Sequence, residues 1–187
     1  MRKTQNGLTI LNQEQLLKVL KAKPKGITLL GDVGKGKSWL FEQVFFNVKS
    51  ADKDFDELRA PMYTANDVAA IYASGGMEAI LNKFSYQLQG RQALVIDDIG
   101  TELMLANYGV KVDIVEWLIL ECYAAKAPIF TTTNLTLDAL TKRYGSRVVD
   151  RLKEKTFFIV LEGDSFRETA YKNSDAELET IIDPMEA

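Results

Sequence analysis

Eight consecutive residues, Gly31-Asp32-Val33-Gly34-Lys35-Gly36-Lys37-Ser38, carry the most specific chemistry in this chain. They match the phosphate-binding pattern G-x-x-x-x-G-K-[ST] at every fixed position. Its glycines let backbone N–H groups curl around phosphate oxygens with no Cβ in the way. A helix beginning at the end of the run adds its unpaired N–H groups and the positive end of its dipole. Lys37 would reach β- and γ-phosphates, and Ser38 would place its hydroxyl on Mg²⁺. Trp39 follows directly and is grouped with the loop as a nucleotide contact. The ligand expected is ATP, or ADP after turnover, with Mg²⁺.

Such a loop needs a carboxylate at the carboxyl end of a neighbouring buried strand, where ligands of open sheets bind. Leu94-Val95-Ile96-Asp97-Asp98 supplies two. Asp97 would orient the metal through its water shell, and Asp98 would polarise the attacking water. The plainer reading of paired acids after a strand is a solvated turn. Asn134 ends the next strand-like run, Pro128-Ile129-Phe130-Thr131-Thr132-Thr133. Its amide either senses the γ-phosphate and the attacking water or caps a helix beginning at Leu135 or Thr136. Arg143, Arg147 and Arg151 recur at every fourth residue. On a helix beginning at Ser146, Arg147 and Arg151 share a face. They form either a solvated basic face or the outside arginine that phosphoryl transfer uses, worth about 10³–10⁵ in rate. If Arg147 comes from a neighbouring subunit, the site is complete only on assembly.

The rest of the composition narrows the chemistry further. The chain has no histidine, which removes imidazole acid–base catalysis and argues against zinc. Cys122 is the only cysteine, so no internal disulfide forms, and its apolar surroundings suit a buried small residue. No apolar run is long enough to span a bilayer, and Met1-Arg2-Lys3-Thr4-Gln5-Asn6 is not followed by the apolar core of a signal peptide. A cytoplasmic location without membrane partners is expected. A net charge of −3 argues against a broadly basic nucleic-acid coat and leaves room for a local basic surface.

The elements that must position these residues alternate. Strands are expected at 27–31, 59–64, 93–98, 128–133 and 157–161. Helices are expected near 13–22, 37–48, 66–74, 77–89, 110–125 and 136–154, the last broken at Gly145. Continuous apolar runs such as Ala93-Leu94-Val95-Ile96 suit strands covered on both faces. The alternation predicts an α/β fold with a five-stranded, mostly parallel sheet. Residues 50–57 read as a polar loop, and Asn173 to Ala187 as an acidic tail.

Taken together, the motifs resemble the AAA+ ATPases of the DnaC/DnaI helicase loader and IstB-like group. The resemblance rests on Gly31 to Ser38 and on Val95-Ile96-Asp97-Asp98-Ile99-Gly100-Thr101-Glu102. It continues through Thr132-Thr133-Asn134-Leu135, Tyr144-Gly145-Ser146-Arg147-Val148-Val149-Asp150-Arg151-Leu152 and Gly163-Asp164-Ser165-Phe166-Arg167. It covers roughly residues 25–170 and implies a three-layer P-loop NTPase domain over 26–170, a short N-terminal segment over 1–25 and an acidic tail over 171–187. By the resemblance, Arg147 is the arginine finger and Arg151 its support. Arg167 is then the second sensor in cis, and Glu102 the acid that follows the Walker B strand. The implied partners are a replicative helicase or a transposition or replication protein, together with single-stranded DNA and further copies of the chain. Loaders carry a separate helicase-gripping region, whereas about 25 residues precede the first core strand here. Tyr108 and Lys111 lie where such proteins touch single-stranded DNA, although a surface turn explains them as well. Two other functions compete: a nucleotide-gated binding module with little hydrolysis, and a small-molecule kinase. The Thr-Thr-Asn and Ser-Arg-Val-Val-Asp-Arg runs speak against the kinase.

Overall fold

The computed structural model describes residues 3–5, 8–11, 19, 26–45, 60–107 and 110–161; of these, 3–5, 8–11, 43–45, 105–107 and 110–111 are described as backbone only. The strands are β1 (Lys3–Gln5), β2 (Leu8–Leu11), β3 (Gly26–Leu30), β4 (Met62–Thr64), β5 (Leu94–Asp97), β6 (Leu105–Asn107), β7 (Val110–Val112), β8 (Ile129–Thr133) and β9 (Phe157–Leu161). The helices are α1 (Lys37–Phe45), α2 (Ala65–Lys83), α3 (Ser85–Leu88), α4 (Ile114–Ala124) and α5 (Leu137–Lys155).

Strands β3, β5 and β8 are buried along their whole length, as their apolar and threonine-rich runs require between two helical layers. The five expected strands pair in parallel in the order β9-β3-β8-β5-β4. The sheet does not stop there. Strand β2 adds in parallel beside β9, and β1 pairs antiparallel with β2, making seven strands. Alternate residues feed two cores. Leu94, Ile96 and Ile129 pack with α2, α4 and α5, whereas Val95, Phe130 and Ile159 pack with Leu40 and Phe41 of α1. This period-2 division makes three layers, α/β/α. Inside the sheet, Thr131 donates to Thr28, Thr28 to Thr156, and Thr156 to the Leu152 carbonyl, at 3.2, 2.8 and 2.8 Å. That relay satisfies three buried hydroxyls across β8, β3 and the end of α5.

Helix starts follow side-chain caps. Thr64 and Asp67 form a reciprocal capping box at α2, Asp113 caps α4, and Thr136 caps α5. The expected pair of helices at 66–74 and 77–89 is one element kinked at Gly75 and Gly76, followed by α3, and α5 is kinked at Gly145 as expected. The expected helix at 110–125 differs at its start. Val110–Val112 pairs with Leu105–Asn107 as a separate two-stranded hairpin, and helix begins only after Asp113. The β-branched Val-Lys-Val run prefers the pleat, and Asp113 makes a better helix cap than any residue before it. The expected helix at 13–22, the loop at 50–57 and the tail at 171–187 lie outside the described residues, apart from Val19.

Candidate nucleotide site

The phosphate loop, the two aspartates and Asn134 meet at the carboxyl edge of the sheet. The loop leaves β3 and enters α1, the acids end β5, and Asn134 follows β8. Gly34 and Gly36 turn the loop at φ +85° and +81°, where a side chain would be strained. Lys37 is buried, and its ammonium donates to the Gly31 carbonyl at 2.7 Å, the Asp32 carbonyl at 2.9 Å and Asn134 Oδ1 at 2.7 Å. A buried cation is tolerable only with its donors engaged in this way. Val33 and Trp39 stand exposed beside the loop and offer apolar surface there.

Asn134 does not cap a helix, because Thr136 holds that position and its hydroxyl accepts from the Ala139 N–H. The Asn134 amide instead accepts from Lys37 and donates through Nδ2 to Asp98 Oδ1 at 3.0 Å. Its orientation is fixed by the partners, since an ammonium can only donate and a carboxylate can only accept. One side chain thus joins the loop to the acid.

Thr132 is the residue that motif reading missed. Its hydroxyl donates to Asp97 Oδ1 at 2.5 Å and accepts from the Asp98 N–H at 2.9 Å. It therefore sets both acids at once. Thr133 laces the same edge, donating to the Ile99 carbonyl at 2.8 Å. Asp98 itself sits at φ +54°, a conformation non-glycine residues rarely adopt, and such outliers gather at working sites. The only sequence signal for Thr132 is a hydroxyl run on the strand facing the acids, since its partners lie 34 and 35 residues away.

The donors suit Mg²⁺. The Ser38 hydroxyl and the Asp97 carboxylate are hard oxygen ligands, and Mg²⁺ is held by one or two carboxylates plus substrate phosphates. Among the described residues no group of three or more acidic, histidine or cysteine side chains could hold a metal alone.

The remaining predicted residues are not all gathered here. Glu102 is buried, with both carboxylate oxygens engaged by Gly100, Arg143 and Tyr144. Arg147 is exposed beyond the Gly145 kink. It lies near Glu116, whose carboxyl is pushed above its usual range by burial and by Asp113. The charges of Arg143 and Arg147 oppose that rise. Arg151 lies on the outside of α5, donating to Glu154 at 3.0 Å and to the Tyr123 hydroxyl at 3.3 Å. Arg167, Tyr108 and the Lys111 side chain lie outside the described residues. Cys122 is buried as expected, and burial pushes its thiol up to about 12. A groove of about 560 Å³ lined by Tyr63, Lys83, Tyr86 and Arg91 opens at the opposite, amino end of the strands, so it is not part of this site.

No family model matches the sequence, and no curated protein does. Solved structures do match. The DnaC helicase loader superposes with a TM-score of 0.62 at 21% identity, over 79% of this chain and 87% of that one. DnaI superposes at 0.57 with 17% identity, over 80% and 83% of the two chains. AMPPCP-bound DnaA from Aquifex aeolicus superposes at 0.55 with 17% identity, over 88% of this chain and 50% of that one. The fold, a three-layer α/β/α sandwich around a parallel sheet with a phosphate-binding loop after its β3 strand, is the one these structures share. This chain spans about half the length of the DnaA structure. Among the described residues no helix is long and apolar enough to cross a membrane.

Proposed function

We propose that this chain binds ATP with Mg²⁺ in the Lys37 loop, hydrolyses it, and couples the cycle to assembly on a partner, as a DnaC- or IstB-like helicase loader or DNA-complex remodeller. The observation that carries the reading is the Asn134 bridge between Lys37 and Asp98. Lys37, Asp98 and Asn134 come from the segments that follow β3, β5 and β8, and their mutual contact supports a joint role toward phosphate and water.

In this reading the loop amides and Lys37 bind the β- and γ-phosphates, exchanging some of the ammonium's present carbonyl partners for phosphate oxygens. Asp98 orients the attacking water and takes up its proton. Asn134 sits between them, so it can register whether the γ-phosphate is present. Ser38 and Asp97 hold Mg²⁺, which supplies charge neutralisation on the phosphates. Arg147, exposed and beyond the kink, is free of the chain's own cradle and reaches the γ-phosphate of a neighbouring copy. Arg151 supports that helix against α4, and Arg167 reaches the phosphates in cis. The likeness to the DnaC helicase loader supports a helicase as partner, and the likeness to DnaA bound to single-stranded DNA supports that ligand.

Thermal shift and ATP turnover test this together. Wild type should gain about 2.7 kcal/mol of stability at a hundredfold excess of Mg-ATP over Kd. Lys37→Ala should fold and gain nothing. Asp98→Asn should bind ATP as wild type does and turn it over ~10²–10⁴-fold more slowly. Equal shifts in wild type and Lys37→Ala would sink the site. Tight binding with no turnover in wild type would make the chain a nucleotide-gated binding module instead.

A further inference from the structure

We propose that Arg143 and Glu102 are positioning residues for the ATP reaction, forming a clasp that ties the turn bearing Asp98 to the base of the β6–β7 hairpin. The inference rests on the nucleotide reading of the site and adds residues that reading does not use.

Glu102 lies four residues beyond Asp98, and its side chain is 2% exposed. A carboxylate so buried must have its lone pairs filled. Glu102 Oε2 accepts from the Gly100 N–H at 2.8 Å, and Oε1 accepts from the Arg143 guanidinium at 2.6 Å and the Tyr144 hydroxyl at 2.5 Å. Both oxygens are therefore committed to holding rather than to reacting. What Glu102 holds is the Asp98–Thr101 turn, which is otherwise closed by the Thr101 hydroxyl donating to the Asp98 carbonyl at 2.8 Å. Fixing the Gly100 amide fixes the direction in which the left-handed Asp98 projects its carboxylate.

Arg143 extends the hold. Its second arm pairs with Asp113, the cap of α4. Glu102 and Asp113 bound residues 103–112, which contain the hairpin, and one guanidinium grips both ends. Only arginine offers a planar fork that can serve two carboxylates in fixed directions. The guanidinium also lies 4.7 Å from the Tyr144 ring centroid, so Tyr144 supports both partners of the pair. Immediately past Glu102, Leu103 and Met104 are exposed at 77% and 53%. The hairpin base is thus locked on its inner side while its entry faces solvent. Displacing the hairpin pulls on Glu102, then on Gly100, then on Asp98. The path is contiguous: side-chain bonds run from Asp113 through Arg143 and Glu102 to the Gly100 amide, and the backbone of the turn carries it on to Asp98.

The test uses the full chain with Arg143→Met, Glu102→Gln, the double variant, Arg143→Lys and Tyr144→Phe. Mg-ATP affinity by thermal shift should stay near wild type. The kcat should fall at least ~10-fold with KM little changed, the pattern of an interaction needed only in the transition state. The double variant should lose no more than the worse single variant, because residues acting as one unit are not additive. Arg143→Lys should restore kcat only in part, since an ammonium lacks the fork. Unchanged kcat at intact affinity, or losses that multiply in the double variant, would overturn the proposal. Hydrogen exchange supplies a readout free of turnover, and Tyr144→Phe keeps the core if the others unfold. Residues 99–101 and 105–112 should lose protection together in Tyr144→Phe, and loss in one segment alone would overturn the clasp. Failure of the site itself looks different: wild type would then show no Lys37-dependent nucleotide binding, and the exchange result would still decide the clasp.

Discussion

At the scale of single residues, Glu116 offers the clearest pH signature. Its carboxyl is raised by burial and by the Asp113 charge, so ionising it disfavours the folded state. The stability this group contributes is present below its ordinary value of 4.5 and is lost as pH rises through the higher folded value. Glu116→Gln should therefore melt above wild type at pH 8, and the two should converge by about pH 4. Parallel melting curves across that range would show that the group does not titrate in the folding equilibrium. The loop, Asp97, Asp98 and Asn134 could be read from the sequence because each belongs to a short run of fixed spacing. Thr132 and Arg143 could not, since their partners lie 30 to 41 residues away and meet them only through the sheet order and the α4–α5 packing. Glu102 shows the reverse case. The run after the strand made it conspicuous, but not which way its carboxylate would turn.

At the scale of elements, the kink in α5 decides where Arg147 lies. Gly145 sits at φ +80° and ψ 164°, a region essentially reserved for glycine. A Cβ there would meet nothing within 4 Å, so any cost of adding one is backbone strain and not a clash. Gly145→Ala should cost about 1–3 kcal/mol of stability. It should also re-aim residues 146–155 against 137–144, lowering turnover beyond the stability loss. A melting point and kcat both equal to wild type would show that the bend is incidental. Both helix kinks were legible, because a glycine or glycine pair interrupted an otherwise helical pattern. The β6–β7 hairpin was not, because three-residue strands are too short to show a period against the helix that follows.

At the scale of the whole molecule, the carboxyl ends of β3, β5 and β8 share one edge, and Arg147 lies on α5 beyond the Gly145 kink. That arrangement suits a site shared between copies. Arg147→Ala keeps an intact cradle, and Lys37→Ala keeps an intact arginine. Each should be inactive alone, and mixtures should regain part of the ATPase activity in a manner that rises with protein concentration. Absence of recovery at every ratio, with both variants folded and able to associate, would place Arg147 within its own site or in a structural role. The parallel core of the sheet was legible because its strands are continuous apolar runs bounded by turns. The extension by β1 and β2 was not, since β1 is polar and both strands are too short to show a period, so they are recruited by a neighbour rather than by their own pattern.

That extension has a consequence for how the protein can be trimmed. Strand β2 occupies the outer row of backbone donors and acceptors on β9. A chain started at Gly26 would leave that row bare beside Phe157, already 61% exposed. Unsatisfied strand borders recruit other strands, including those of sister molecules. Without nucleotide, the shortened protein should scatter light increasingly with concentration where the full chain does not, and short β-prone peptides should compete for the vacated place.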